Sequence, residues 1–146
     1  MKLTTFTDYS LRALIYLALN EGERATIARI ARAYGISEAH LVKVVHFLSQ
    51  AGWVNSIRGK GGGLELGRAP DALNLGEIVR LTEGADRPAE CFDPNSPACC
   101  IDGVCRLRGA LGEAVGAFYA TLDRYSLADL VDNAPVLRER LDLPRR

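Results

Sequence analysis

The side chains most able to do chemistry in this chain are its cysteines. All four lie within one fifteen-residue stretch: Cys91, Cys99, Cys100 and Cys105. Pro94 and Pro97 interrupt that stretch. Because proline removes a backbone donor and restricts the residue before it, the stretch is expected to form a loop that lets the thiols converge. Thiolates prefer zinc, copper(I) or iron-sulfur clusters to magnesium or calcium. The spacing therefore predicts a soft-metal or cluster site.

Three other roles for these cysteines stay open. A disulfide pair is disfavoured because we expect a reducing cytosol, with no apolar signal segment before the chain. A structural zinc ion could use all four thiols. A redox-active thiol would need an activating neighbour, but the stretch has no Cys-x-x-Cys spacing and no histidine nearby. Metal or cluster binding is the favoured prediction.

Composition indicates an ordinary globular protein with an uneven charge. Hydrophobic residues make up 48% of the chain and charged residues 25%, and no apolar run approaches the roughly 18 residues of a membrane span. A cytoplasmic protein without membrane contact is expected. Residues 1–68 hold nine Lys/Arg and five Asp/Glu, a net +4, and residues 69–146 hold nine and thirteen, a net −4. A basic amino-terminal half beside an acidic body is a hint of nucleic-acid binding.

Three segments of the amino-terminal half have the apolar spacing of helices. These are residues 9–19, 26–34 and 38–50. Gly35 permits a sharp turn between the second and third, and Ser37 is the predicted N-cap of the third. A short helix, a glycine turn and a longer helix predict a helix-turn-helix, whose second helix can enter a major groove.

A predicted β-hairpin follows the third helix. Residues 53–66 have strand character on both sides of the basic, glycine-rich tip at residues 58–63. This is typical of the wing of a winged helix, whose tip would reach phosphates or a minor groove. A solvated helix face and a flexible basic loop are the plain alternatives. The candidate DNA contacts are Ser37, Ala39, His40, Lys43, Arg58, Lys60 and Gly61.

The carboxyl-terminal half is predicted to provide the cysteine loop and a dimer contact. A short helix is expected at residues 74–83 and a long one at residues 107–125, whose apolar stripe favours pairing with the same helix of a second subunit. The fold class is therefore mainly α with a small β-hairpin. The expected divisions are residues 1–83 for DNA binding, 84–105 for the cysteine loop, 106–126 for dimerisation and 127–146 for a docking segment whose charged end frays.

Three motifs together resemble the NsrR/IscR family of winged-helix regulators that carry an iron-sulfur cluster. They are Leu3-Thr4-Thr5-Phe6-Thr7-Asp8-Tyr9-Ser10-Leu11-Arg12, Ile57-Arg58-Gly59-Lys60-Gly61-Gly62-Gly63, and Cys105-Arg106-Leu107. The resemblance covers nearly the whole chain. It is strongest to the members that sense nitric oxide and repress transcription, and it implies a homodimer bound to double-stranded operator DNA rather than an enzyme.

The resemblance also implies a set of cluster ligands. Matching the family's three cysteines gives Cys91, Cys99 and Cys105, with Cys100 as an additional thiol. Some relatives use a histidine as fourth ligand where this chain has Arg108. In nitric-oxide-sensing members an aspartate from the other subunit takes that role, and the matching residue is Asp8. Without the resemblance, Asp8 would be an acidic residue favoured at a helix start. A 4Fe-4S cluster is implied over a 2Fe-2S cluster.

Overall fold

The computed structural model describes residues 2–84, 87–96 and 99–144. Its first helix, α1, spans Thr5–Leu19. The helix begins four residues before the predicted segment because Thr4 caps it, with the Thr4 hydroxyl accepting a hydrogen bond from the Thr7 N–H at 3.2 Å. This early start places Asp8 in the first turn of α1.

The predicted helix-turn-helix is confirmed. Helix α2 spans Ile27–Tyr34 and α3 spans Glu38–Gln50. Gly35 between them has φ of 63°, a left-handed conformation that glycine adopts without steric penalty. Ser37 occupies the N-cap position of α3 as predicted, but its side chain makes no capping hydrogen bond. The apolar face of α3 is buried as its spacing predicts, through Leu41, Val44, Val45 and Leu48.

The wing is an antiparallel hairpin tied to the body of the domain. Strand β1, Val54–Ile57, pairs with β2, Gly63–Leu66, in a register that sets Val54 opposite Leu66. Ala25, just before α2, adds a further bridge to Leu64 through hydrogen bonds of 3.0 and 2.7 Å. Gly63 has φ of 150°, and a Cβ there would lie 2.9 Å from the Ala25 carbonyl oxygen. Glycine at this position therefore permits the bridge.

The remaining helices are α4, Leu75–Glu83, α5, Arg106–Leu122, and α6, Ala134–Arg140. Short 3-10 turns lie at Pro70–Ala72, Glu90–Phe92 and Asp129–Val131. Helix α5 ends three residues before the predicted limit because the chain turns there, and the Leu75 N–H donates to the Tyr125 carbonyl at 2.9 Å. No residue of α5 is buried within this chain. None of the helices in the described part of the chain is long and apolar enough to cross a membrane.

The core lies between α1, α3, the base of the wing and the carboxyl-terminal segment. Trp53, Leu14 and Leu48 are among its fully buried side chains, and Leu127 docks on it as predicted. The end of the chain differs from the expected frayed tail: α6 forms, Leu143 is buried, and Arg138 donates to the Leu19 carbonyl. The fraying was predicted from the charged residues of this segment, but Leu143 among them packs into the core and holds the segment in place. Residues 145 and 146 lie outside the described ranges.

Candidate nucleic-acid interface and cysteine site

The predicted groove-facing residues of α3 are all exposed: Ser37, Ala39, His40 and Lys43. Their orientations differ, however, from the single face that the sequence predicted. At about 100° of rotation per residue, the direction opposite the buried Leu41 and Leu48 is occupied by Ala39, Lys43 and His46, with Val42 at the edge of this face. The sequence prediction did not include Val42 or His46. Both are exposed. Helical projection from the buried positions could have identified them. The role of this face in DNA binding remains a prediction.

His40 lies on the side of α3 that faces α1. Its ring is tilted against that of Tyr9, with the ring centroids 6.2 Å apart. A cleft of about 280 Å³ opens here, lined by Thr5, Phe6, Tyr9, His40, Lys43 and Val44. Beneath it, Phe6 and Phe47 meet edge to face at 5.4 Å and hold α1 against α3. The orientation of α3 is therefore coupled to the first turns of α1.

The tip of the wing presents exposed cations on a constrained backbone. Arg58, Lys60 and Gly61 are exposed as predicted. Arg24, which the sequence analysis did not identify, donates to the Gly61 carbonyl at 2.9 Å and pairs with Glu65 at 3.1 Å. These contacts hold the tip against the body of the domain, so the alternative of a loose basic loop is less favoured.

The cysteines are all free thiols, so no disulfide forms among them. Cys91 lies in a 3-10 turn and Cys105 at the N-cap position of α5, both partly buried, whereas Cys99 and Cys100 are exposed. Cys91 and Cys99 face one cleft of about 280 Å³, whose other lining residues are Phe92, Asp93, Pro94, Ser96, Asp102 and Arg108. Pro97 and Ala98, beside Cys99, lie outside the described residues. Two of the three predicted ligands thus share a cleft.

The donor chemistry of this cleft fits a soft metal centre. In residues 2–84, 87–96 and 99–144, no three His, Cys, Asp or Glu side chains converge as they would around one metal ion. A cluster instead binds separate thiolates at separate irons, which spreads the ligands. Cys105 lies three residues before Arg108, within one helical turn of the cleft wall. Arg108 itself pairs with Asp102 at 2.7 Å and, as a permanent cation, is no metal ligand.

A neighbouring ion pair shapes the outer part of the cysteine loop. The pKa of Asp93 is held below its usual value by the Asn95 N–H, which donates at 2.9 Å, and by Arg87. Asp93 is therefore an anion at neutral pH. The hydrogen bond from Asn95 and the ion pair with Arg87 restrain the backbone near Cys91, two residues before Asp93.

Asp8 pairs with Arg12 of the same helix in a largely exposed contact. The carboxylate accepts hydrogen bonds from Arg12 at 3.0 and 2.9 Å, and the Asp8 side chain is 44% exposed. Exposed pairs four residues apart on a helix contribute only about 0.3–0.5 kcal/mol. Arg12 also lies 5.7 Å from the ring centroid of Tyr34, whose pKa burial raises to about 12, so that the phenol is neutral. A metal–carboxylate bond would readily displace the Asp8–Arg12 pair.

Hydrogen bonds join the turn that carries Asp8 to the entry of the cysteine loop. Glu83, the last residue of α4, accepts from the Thr4 N–H at 2.9 Å and from the Thr4 hydroxyl at 3.0 Å. The Thr7 hydroxyl donates to the Thr82 hydroxyl at 3.0 Å in a buried contact. These hydrogen bonds tie the start of α1 directly to the end of α4.

Comparison with known proteins gives consistent matches over almost the whole chain. Residues 3–133 match the model of the Rrf2 family, described as iron-dependent transcriptional regulator. A Bacillus subtilis (strain 168) protein named HTH-type transcriptional regulator NsrR is 52% identical over 134 residues, covering 91% of this chain and 92% of that protein. A Bacillus licheniformis protein of the same name is 43% identical over 142 residues, covering 97% and 99%.

Solved structures show the same fold. The structure of CymR, titled the global cysteine regulator of B. subtilis, is similar with a TM-score of 0.72 and 32% identity, covering 91% of this chain and 98% of that one. The structure of T. potens IscR has a TM-score of 0.74 and 28% identity, covering 92% and 88%. These likenesses confirm the predicted winged-helix architecture.

Proposed function

The chain belongs to the Rrf2 family of transcriptional regulators, and we propose that it is a homodimeric repressor whose hold on operator DNA depends on an iron-sulfur cluster and is released by nitric oxide. Its relatives are regulators and not enzymes, in agreement with the sequence prediction. The name NsrR on two close relatives supports the finer proposal.

The cleft shared by Cys91 and Cys99 is the observation that carries this proposal. Two free thiols line this cleft, which the cysteine loop forms with Arg108 of α5, and Cys105 is the N-cap of α5. A ligand held by these three thiols would join the loop to the long helix. Cys100 is exposed and does not line the cleft. Cys105 does not line it either, but it caps the helix that carries Arg108 of the cleft wall. We assign the ligand role to Cys91 and Cys99 on the shared cleft, and to Cys105 on the resemblance.

When bound, a 4Fe-4S cluster supplies iron that reacts with nitric oxide. Asp8 of the second subunit is the proposed fourth ligand, and it would leave its own Arg12 to serve in that role. A carboxylate is a harder ligand than a thiolate and suits a labile position. Because Thr4 and Thr7 fasten the Asp8 turn to the end of α4, a change at Asp8 would reach the whole DNA-binding domain.

The exposed face of α5 is the proposed dimer contact. Its apolar side chains recur at three- and four-residue spacing: Leu107, Leu111, Val115, Phe118 and Leu122. Leu107 is 65% exposed within one chain, and covering such a stripe gains about 25 cal/mol for each Å² of apolar surface removed from water. Pairing two copies along α5 would also present two recognition helices to the two half-sites of an operator.

On DNA, α3 would enter the major groove while the wing contacts the backbone. The exposed face of α3 offers Ala39 and Lys43 toward base edges and phosphates, and the exposed His40 lies beside it, on the side of the helix that faces α1. Arg58 and Lys60 at the tip of the wing would neutralise phosphates. This contribution to DNA affinity does not depend on the base sequence and weakens as the salt concentration rises.

The proposal is tested by purifying the protein without oxygen and recording its visible absorption and its operator binding before and after adding nitric oxide. A coloured protein that binds DNA, then loses both its spectrum and its affinity, is expected. Cys91→Ala, Cys99→Ala and Cys105→Ala should each abolish colour and binding, with Cys100→Ala as the matched control. Loss of the cluster in Cys100→Ala alone would show that the ligand assignment is wrong.

A zinc-binding or thiol-responsive DNA-binding protein is the second candidate. The adjacent, exposed free thiols of Cys99 and Cys100 favour it, since exposed thiols are accessible to oxidants. A protein that stays colourless after anaerobic cluster reconstitution, and whose DNA affinity responds to oxidants or to zinc removal, would support this candidate and exclude the nitric-oxide proposal.

A further inference from the structure

Val42 is the one large apolar side chain of α3 that is exposed. It is 53% exposed, whereas the apolar face of the helix is buried. It lies about 110° around the helix from the centre of that buried face, at the edge of the exposed face that Ala39, one turn before it, and His46, one turn after it, occupy. A single exposed valine is ordinary on a protein surface. Val42 differs because it occupies the first half of the helix that faces DNA, where base contacts concentrate.

The local structure does not require valine at this position. Valine is a poorer helix former than alanine or lysine, so helix propensity does not favour it on an exposed face. Its side chain is absent from the core cluster and its neighbours, so packing within the chain does not favour it either. A contact outside the chain would explain it.

The chemistry of the major groove limits what that contact can be. Base edges there present hydrogen-bond donors, acceptors and a single apolar group, the 5-methyl of thymine. Valine has no donor or acceptor on its side chain, so it can recognise only that methyl group. The small Ala39 beside it leaves room for a base edge to approach. Resting on the proposed operator binding by α3, we infer that Val42 contacts a thymine methyl and specifies a T·A pair in each half-site.

The test begins by selecting the operator from a pool of random duplex DNA with the anaerobically purified protein. Each thymine of one half-site is then replaced in turn by deoxyuridine, which lacks only the methyl group, and affinity is measured by fluorescence anisotropy. Loss of one buried methyl is expected to weaken binding about four-fold at a single position. In Val42→Ala that position should become insensitive to the replacement, while all other positions keep their wild-type response.

Two further variants sharpen the result. Val136 on α6 is 57% exposed, so Val136→Ala makes the same truncation away from α3 and should keep the wild-type response. Val42→Thr retains one methyl group and a similar shape, and should show intermediate sensitivity. Equal thermal unfolding midpoints for wild type and all variants would exclude a folding defect as the cause of any change in DNA affinity.

The outcomes separate this inference from the proposed function. One outcome is that an operator is selected and yet every thymine position responds equally to deoxyuridine in wild type and in Val42→Ala. The inferred contact between Val42 and a thymine methyl group is then wrong, while operator binding stands. If no sequence is enriched from the pool, operator binding by the protein itself is contradicted and the inference is overturned with it.

Discussion

Gly76→Ala should disturb the contact between α4 of the DNA-binding domain and the end of the long helix α5. A Cβ at Gly76, near the start of α4, would lie 2.0 Å from Oδ1 of Asp123 and 3.0 Å from its backbone nitrogen. Asp123 just after α5 cannot turn aside freely, because Arg80 donates to both of its carboxylate oxygens at 2.6 Å. The guanidinium also lies 4.6 Å from the ring centroid of Tyr119. The added methyl group must therefore displace this junction of α4 and α5.

Two opposing terms set the magnitude. Overpacking a tight contact costs about 1–3 kcal/mol, whereas replacing glycine by alanine within a helix gains up to about 1 kcal/mol. Gly116 in α5 isolates the second term, since a Cβ there meets no atom within 4 Å. Gly116 also lies on the side of α5 away from the apolar stripe, so Gly116→Ala leaves the proposed dimer contact intact. The difference between the two variants measures the steric term, about 1–3 kcal/mol.

The assay is urea and thermal unfolding of both variants and wild type at one protein concentration, because dimer stability depends on concentration. Gly76→Ala should melt roughly 2–12 °C below Gly116→Ala. Operator affinity should fall in Gly76→Ala alone, since in the proposed dimer the angle between α4 and α5 would set the separation of the two recognition helices. Equal stabilisation by both substitutions would refute the close approach of Gly76 to Asp123 and the rigid junction drawn from it.

Three further changes have defined outcomes. Asp8→Ala should keep a visible cluster spectrum in altered form, because three thiolates remain, and an unchanged spectrum would contradict Asp8 ligation. Lys60→Gln removes one cation from each subunit of the proposed dimer. It should reduce the slope of log affinity against log salt by about 1.8, or about 0.9 per subunit, at every DNA sequence, whereas loss at one base pair alone would indicate base reading. The pKa of Asp123 lies below its ordinary 3.8 because Arg80 donates to it. The stabilisation from this pair is therefore complete above pH 3.8 and is lost as pH falls through the lowered pKa, an acid-dependent loss of urea resistance that Asp123→Asn should remove.

The helix-turn-helix and the wing were predictable because their signals are local. The buried positions of α3, the left-handed turn at Gly35 and the strands beside the wing tip follow from residue spacing and from the conformations that glycine permits. The start of α1 was misplaced because the capping residue Thr4 lies outside the apolar pattern. The crowding of cysteines in one stretch predicted a shared thiol site, and Cys91 and Cys99 do line one cleft, but metal or cluster binding there stays a prediction.

Taken alone, the sequence determined the winged-helix class, the thiols that are candidate ligands and the apolar stripe of α5. Only the tertiary structure revealed that Arg24 holds the wing tip, that Glu83 bonds to Thr4 seventy-nine residues away, and that Arg138 donates to the Leu19 carbonyl. Local spacing specifies which residues share a helix face, but contacts between distant segments depend on how complete helices pack. The orientation of each helix, and with it the surface presented to DNA, is fixed only when the core closes.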